Sequence, residues 1–166
     1  SYFRSFGTPV KIVRPFNTYG PRQSARAIIP SIIIQILGGK RQLKLGSLNP
    51  TRDLTFVKDT VSGFLTISKH DAFNGEYVNV GMKQEISILD LVHLIAKLMK
   101  TEVEITSDAQ RVRPSQSEVE RLFCDNQKLV SATGWKPSYD LEKGLLETID
   151  WLTKHQDQYK SDICNV

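Results

Sequence analysis

The apolar positions of this chain fall into short β-branched runs separated by longer stretches of helical period. Residues 2–6 end at Gly7 and read as the last turn of a helix, with the glycine placed to take the positive φ of a helix stop. "PVKIV" (9–13) has the pattern of a strand buried on both faces, as in a parallel sheet. "AIIPSIIIQILGG" (27–39) reads as a helix, since Pro30 fits near its first turn and Gly38-Gly39 stops it. "QLKLG" alternates like a strand and "LTFV" is a further short one. The helix expected over 57–70 would turn Val61, Phe64, Leu65 and Ile67 inward. "EYVNVG" is a strand closed by glycine. Behind Ser87, which forms a capping-box-like start with Asp90, the residues Ile88, Leu91, Val92, Ile95, Leu98 and Met99 keep helical spacing. "EVEIT" is a short strand. Asp125 is expected to cap a helix ended by Gly134, and Asp140 one whose inner stripe is Leu141, Leu145, Ile149 and Leu152. The tail after His155 (156–166) is polar and predicted to fray.

Strands alternating with helices predict an α/β protein. Only "PVKIV" and "EYVNV" look like central parallel strands, too few for a doubly wound sheet. The chain also opens at the end of a helix and without an initiator methionine, so it is expected to be a piece of something longer. Its 166 residues suffice for one domain with a substantial core. No apolar run approaches the ~20 residues of a membrane span, and "SYFRSFGTPV" lacks the features of a secretory signal. Two cysteines, Cys124 and Cys164, make neither a disulfide framework nor a zinc site, so no metal is assigned and a cytoplasmic location is expected.

The net charge of +4 raises the question of nucleic acid. Lys and Arg are interspersed with Asp and Glu, no block of five like charges occurs, and no aromatic platform sits among the cations. A nucleic-acid-binding domain is therefore the least favoured reading. A modest preference for phosphate-bearing small molecules remains.

No glycine-rich turn of the dinucleotide-binding kind follows any strand, and no Walker loop is present. His70, His93 and His155 stand apart from any ligand partner. Tyr139 and Lys143 match Tyr-x-x-x-Lys, but they straddle the cap at Asp140 and are not expected to share a helical face as a catalytic pair must. Isolated basic and amide residues do cluster at strand ends, where ligands gather in open α/β sheets. "VRPFNTYGPRQS" leaves a strand through two prolines and a glycine, "NPTRDLTFV" enters one, and "YVNVG" exits another with Asn79. "RVRPSQSEVERL" adds Arg111, Arg113 and Glu118. Two readings stay open at this level. Arg52 and Arg113 suit a diphosphate, with Glu118 accepting from ribose hydroxyls. Alternatively these arginines pair with Asp53, Glu118 or Glu120 on the surface, the reading that the usual exposure of arginine favours.

"GTPVKIVRPFNTYGPRQ", "IIPSIIIQILGGK", "RDLTFVKDTVSGF", "EYVNVG" and "RPSQSEVERLFCDNQKLVSATGWKP" together resemble the C-terminal half of an extended short-chain dehydrogenase/reductase. The resemblance is to the nucleotide-sugar epimerase/dehydratase branch, and most to the 4,6-dehydratases of nucleotide-linked hexoses. It implies residues 1–155 as a substrate-binding portion with the last Rossmann strands. It also implies that Pro15 and Phe16 lie at the nicotinamide and that Asn17 bonds the sugar nucleotide. Leu43, Lys44 and Leu45 would line the nucleobase slot, Arg52 and Arg113 hold the diphosphate, Asn79 support that region, and Glu118 contact the ribose. The ligand implied is a nucleotide-diphosphate sugar. The parent enzyme would hold NAD tightly and form a homodimer. The family's glycine-rich NAD turn, Tyr-x-x-x-Lys pair and dehydrating acids are not in this sequence. No catalytic residue is therefore assigned, no cofactor is expected to bind this chain alone, and the chain is expected to be inactive and to self-associate. A stand-alone nucleotide-sugar-binding module is the alternative.

Overall fold

The structure, a computed structural model, describes residues 2–107 and 119–159. In chain order the elements are α1 (Tyr2–Phe6), β1 (Ile12–Pro15), β2 (Thr18–Tyr19), α2 (Ile28–Leu37), β3 (Gln42–Leu45), β4 (Thr51–Arg52) and β5 (Thr55–Phe56). There follow α3 (Val57–Lys69), β6 (Tyr77–Val80), β7 (Ile86–Ser87), α4 (Ile88–Leu98), β8 (Glu104–Ser107), β9 (Arg121–Leu122), α5 (Gln127–Thr133) and α6 (Leu141–Lys154). Three pairs are parallel: β1 with β6, β2 with β5, and β3 with β8. The remaining sheet is mixed, with β4 antiparallel to β7 and parallel to β9. None of the helices among the described residues is long and apolar enough to cross a membrane.

Two cores result. The larger gathers Ile29, Ile32 and Ile33 of α2, Leu91, Val92 and Ile95 of α4, and Leu145 and Leu152 of α6 over Leu43, Leu45 and Phe56. The smaller joins Ile67 of α3 and Leu129 of α5 to Val78 and Val80 of β6, with Phe73 and Trp135. The caps predicted at Ser87 and Asp140 hold. Ser87 Oγ accepts from the Asp90 amide at 3.0 Å, and Asp140 Oδ1 from the Lys143 amide at 2.7 Å. At α5 the N-cap is Asn126, which makes no side-chain cap bond, while Asp125, one residue earlier, accepts from the Gln127 amide at 3.0 Å; Gly134 ends the helix with φ +68°.

Three expectations are corrected. First, β1 is not buried on both faces. Val10 and Ile12 are exposed and only Val13 reaches the smaller core, because β1 has one strand neighbour among the described residues. Second, α3 turns Asp59, Thr60, Gly63 and Ile67 inward and leaves Val61, Phe64 and Leu65 outside at 52%, 42% and 56% exposure. The inner face is chosen by close approach and by polar pairing. A Cβ on Gly63 would lie 2.6 Å from Val80 Cγ1. Thr60 Oγ1 meets Thr18 Oγ1 at 2.9 Å, and the Asp59 carboxylate accepts from the Ser138 and Tyr139 amides at 2.8 and 3.0 Å. Third, the chain does not fray directly after His155. A short 3-10 turn (Gln156–Gln158) carries Tyr159 back to the larger core, where its hydroxyl donates to the Gln23 carbonyl at 3.2 Å.

Candidate functional site

The prolines and glycine of 13–24 make a turn that cannot continue β1 and that the core grips at one residue. The Phe16 amide donates to the Val80 carbonyl at 2.9 Å, extending the β1–β6 pairing by one step. The chain then crosses to β5, where the Asn17 carbonyl accepts from the Thr55 amide at 3.0 Å. Tyr19 is the gripped residue. It is buried against Phe56 in an edge-on ring contact at 5.6 Å, and its hydroxyl donates to the Leu141 carbonyl at 3.2 Å. Burial, with the charges of Asp140 and Asp59, keeps that hydroxyl protonated well above the ordinary tyrosine range. Pro15 is exposed, while Phe16 and Asn17 are half-buried on the turn between β1 and β5. The Asn17 carboxamide has no hydrogen-bond partner among the described residues.

From Thr55 the chain leads back three residues to Arg52, at the centre of the mixed sheet. Arg52 Nη1 donates to the Thr51 carbonyl at 2.8 Å and to the Val119 carbonyl at 2.6 Å. The second bond places the guanidinium on the segment that follows Glu118. Asn79, on β6, donates from Nδ2 to the Asp125 carbonyl at 3.1 Å, a little further along that same segment. Asn17, Arg52 and Asn79 are thus linked through residues 52–55 and 119–125, near the carboxyl ends of β1 and β6. Arg111, Arg113 and Glu118 lie outside the described residues.

The pairing of Arg52 with Asp53 as surface ions does not occur. Asp53 is fully buried, and its carboxylate accepts from the Met82 and Cys124 amides. A surface ion pair at this sheet joins Glu85 to Arg121, at 2.6 Å. Glu85 also accepts from Thr51 Oγ1 at 2.7 Å. Cys124 is buried beside Asp53, and burial foremost, with the charges of Asp53 and Asp125, pushes its thiol up to about 12. It is held as an unreactive thiol.

Strand β3 is arranged differently from the rest. Leu43 and Leu45 are buried in the larger core, whereas Lys44 is exposed. The Arg41 carbonyl accepts from the Glu104 amide at 2.7 Å, so Arg41, Leu43 and Leu45 share the parity that faces β8. The backbone of Lys44 faces the other way. Its amide donates to Gln35 Oε1 at 3.0 Å, and its carbonyl lies 3.5 Å from Gln35 Nε2. Gln35, a buried amide on α2, occupies the edge that a further strand would take.

Tyr139 and Lys143 are not arranged for proton transfer. The Lys143 ammonium lies over the tyrosine ring, 4.2 Å from its centroid. The hydroxyl is met instead by Lys58 Nζ at 3.0 Å, and Lys58 is itself paired to Glu147 at 2.7 Å.

Sequence reasoning singled out Arg52 and Asn79 but not the buried polar groups beside them: Asp53, Gln35 and Asn126, whose Nδ2 donates to the Gly81 carbonyl at 2.8 Å. The one local signal was an acidic residue set between Arg52 and the apolar "LTF" run, at the position where a strand changes face.

Parallel strand pairs joined through helices, with polar loops at their carboxyl ends, define part of a Rossmann-type α/β protein. The chain belongs to the GDP-mannose 4,6 dehydratase family, whose model matches residues 1–148. It is 32% identical over 157 residues to the trifunctional UDP-glucose 4,6-dehydratase/UDP-4-keto-6-deoxy-D-glucose 3,5-epimerase/UDP-4-keto-L-rhamnose-reductase of Arabidopsis thaliana, covering 95% of this chain and 23% of that protein. The structure of RMD from Pseudomonas aeruginosa complexed with NADPH superposes with a TM-score of 0.83 at 29% identity, over 93% of this chain and 52% of that one. UDP-glucuronic acid 4-epimerase from Bacillus cereus, in complex with UDP-glucuronic acid and NAD, gives a TM-score of 0.82 at 26% identity, over 93% and 48% respectively. The chain therefore spans about half the length of these solved relatives and less than a quarter of the trifunctional enzyme.

Proposed function

We propose that this chain is the nucleotide-sugar-binding portion of an NAD-dependent nucleotide-sugar 4,6-dehydratase or epimerase, and that it performs no chemistry by itself. The observation that carries the proposal is the placement of Arg52. It is a permanent cation at the centre of the mixed sheet, turned onto the segment that follows Arg113 and Glu118, and joined through Thr55 to Asn17, whose carboxamide has no partner among the described residues. A diphosphate bridging Arg52 and Arg113 would leave the sugar toward Asn17 and the ribose toward Glu118. Asn79 would hold the 119–125 segment in place. The nucleobase would lie along Leu43, Lys44 and Leu45, where Lys44 offers its exposed side chain because its backbone is engaged by Gln35.

The residues present do not fit a whole dinucleotide. Pro15 and Phe16 would border the nicotinamide, but the sequence has no glycine-rich pyrophosphate turn and Tyr139 is not served by Lys143. No hydride-transfer step is assigned to this chain. Its outward apolar residues on β1 and α3 support self-association of the isolated chain.

Calorimetric titration with UDP and GDP tests the proposal. The chain is expected to bind at least one of them, and Arg52→Ala and Arg113→Ala are each expected to weaken that binding by about 1.5–3 kcal/mol, the size of a lost charged hydrogen bond. Isotherms unchanged in both variants refute the diphosphate assignment. Formation of a 4-keto sugar from a nucleotide hexose and NAD by the isolated chain refutes the inactive reading.

A further inference from the structure

Next to Arg52 lies a buried carboxylate that the proposed site does not itself use. Asp53 is 0% exposed. Its Oδ1 accepts from the Met82 amide at 2.8 Å and its Oδ2 from the Cys124 amide at 3.2 Å, while its own amide donates to the Leu122 carbonyl at 2.8 Å. Burial raises its carboxyl above the usual carboxylate range, and the amides of Met82, Cys124, Gln84 and Lys83 oppose that rise. Gly81 completes the packing. A Cβ there would lie 2.5 Å from Cys124 Cβ and 3.2 Å from Asp53 Oδ1, so the backbone at 81 reaches this group only without a side chain. On the far side Asn126 Nδ2 holds the Gly81 carbonyl at 2.8 Å.

Three segments distant in sequence (51–53, 79–84 and 119–126) thus converge on one carboxylate. They carry Arg52, Asn79 and the stretch that follows Arg113 and Glu118. Neighbouring strand residues point to opposite faces, so drawing Asp53 inward turns Arg52 outward, toward the Val119 carbonyl. Apolar side chains would join three segments at less cost than a buried charge. What the carboxylate adds is direction, because each amide it receives fixes one segment at hydrogen-bonding distance.

We infer that Asp53 is the positioning residue of the anion clamp: it locks the segments bearing Arg52 and Asn79 and the 119–124 stretch into one arrangement, and so aims Arg52 at a nucleoside diphosphate. This rests on the diphosphate reading of Arg52.

The test compares wild type, Asp53→Asn and Arg52→Ala by calorimetry with UDP and GDP, with affinities referred to the folded fraction. Asp53→Asn is expected to weaken binding about 10- to 100-fold, the loss expected when a charged hydrogen bond loses its alignment. A folded Asp53→Asn that binds as wild type, while Arg52→Ala does not, overturns the inference and leaves the diphosphate reading standing. Wild type that binds neither probe, or Arg52→Ala that binds as wild type, overturns the reading and the inference with it. A second measurement needs no variant to fold. Saturating UDP or GDP is expected to slow hydrogen exchange at the Met82 and Cys124 amides of wild type relative to amides within α4. Unchanged rates at both overturn the inference.

Discussion

Single side chains in this protein act mainly by tying remote backbone segments together, and Glu85 does so at the surface. Its carboxylate receives Arg121 Nη2 at 2.6 Å, Arg121 Nε at 2.9 Å and Thr51 Oγ1 at 2.7 Å, joining the residue before β7 to β9 and β4. Arg121 first and Thr51 second hold the carboxyl down to about 2. A depressed folded-state value contributes stability that is fully present above the unfolded carboxyl value of about 4.3 and is lost as pH falls through the folded value. The denaturation midpoint of wild type is therefore expected to fall between about pH 4.5 and 2 more steeply than that of Glu85→Gln. Parallel pH profiles for the two proteins would show that the pair contributes nothing. At this scale the sequence offers candidates by residue type and position. Arginine and asparagine at strand ends marked Arg52 and Asn79. It was illegible at Asp53, whose burial depends on amides at positions 82 and 124 that no local pattern brings near.

Among the elements, helices whose apolar stripe matches their buried face were read correctly, and α4 is the clearest case. Ile88, Leu91, Val92 and Ile95 are buried behind the Ser87 cap. Ser87 Oγ accepts from the Asp90 amide at 3.0 Å and donates to Asp90 Oδ2 at 2.6 Å, so a single hydroxyl serves a free amide and fixes the carboxylate near the helix start. Ser87→Ala is expected to lower unfolding free energy by about 1 kcal/mol, read from the urea midpoint at unchanged slope. No change would mean that solvent satisfies that amide equally well. For α3 the same reasoning from periodicity placed Ile67 correctly but turned Val61, Phe64 and Leu65 the wrong way. Its apolar residues form a stripe, but the helix meets β6 through Gly63 and the 138–139 amides through Asp59, and neither is an apolar signal. Strand β1 failed for a related reason. A β-branched run reports a capacity for burial on both faces, while the burial achieved depends on which elements lie beside it.

At the scale of the whole molecule these two departures share one surface consequence. Val10 before β1, Ile12 of β1, and Val61, Phe64 and Leu65 of α3 are exposed, together with Tyr2 and Phe6 of α1. Apolar area left in water favours any association that removes it, by roughly 25 cal/mol for each Å² buried. The lone strand pair β1–β6 adds backbone groups on β1 that no second strand meets among the described residues. Net charge opposes association only weakly, because +4 is spread among interspersed acids. The isolated chain is accordingly expected to associate as its concentration rises, and the double variant Phe64→Lys, Leu65→Glu to associate less while keeping its thermal midpoint. That second condition follows because both side chains already face solvent, where substitutions ordinarily change stability by no more than about 0.5 kcal/mol. Sedimentation velocity across a concentration series measures both proteins directly. A wild-type chain that stays monomeric at every concentration would mean that this apolar surface is too divided to bury itself. Association undiminished in the double variant would shift the contact from α3 to the open edge of β1.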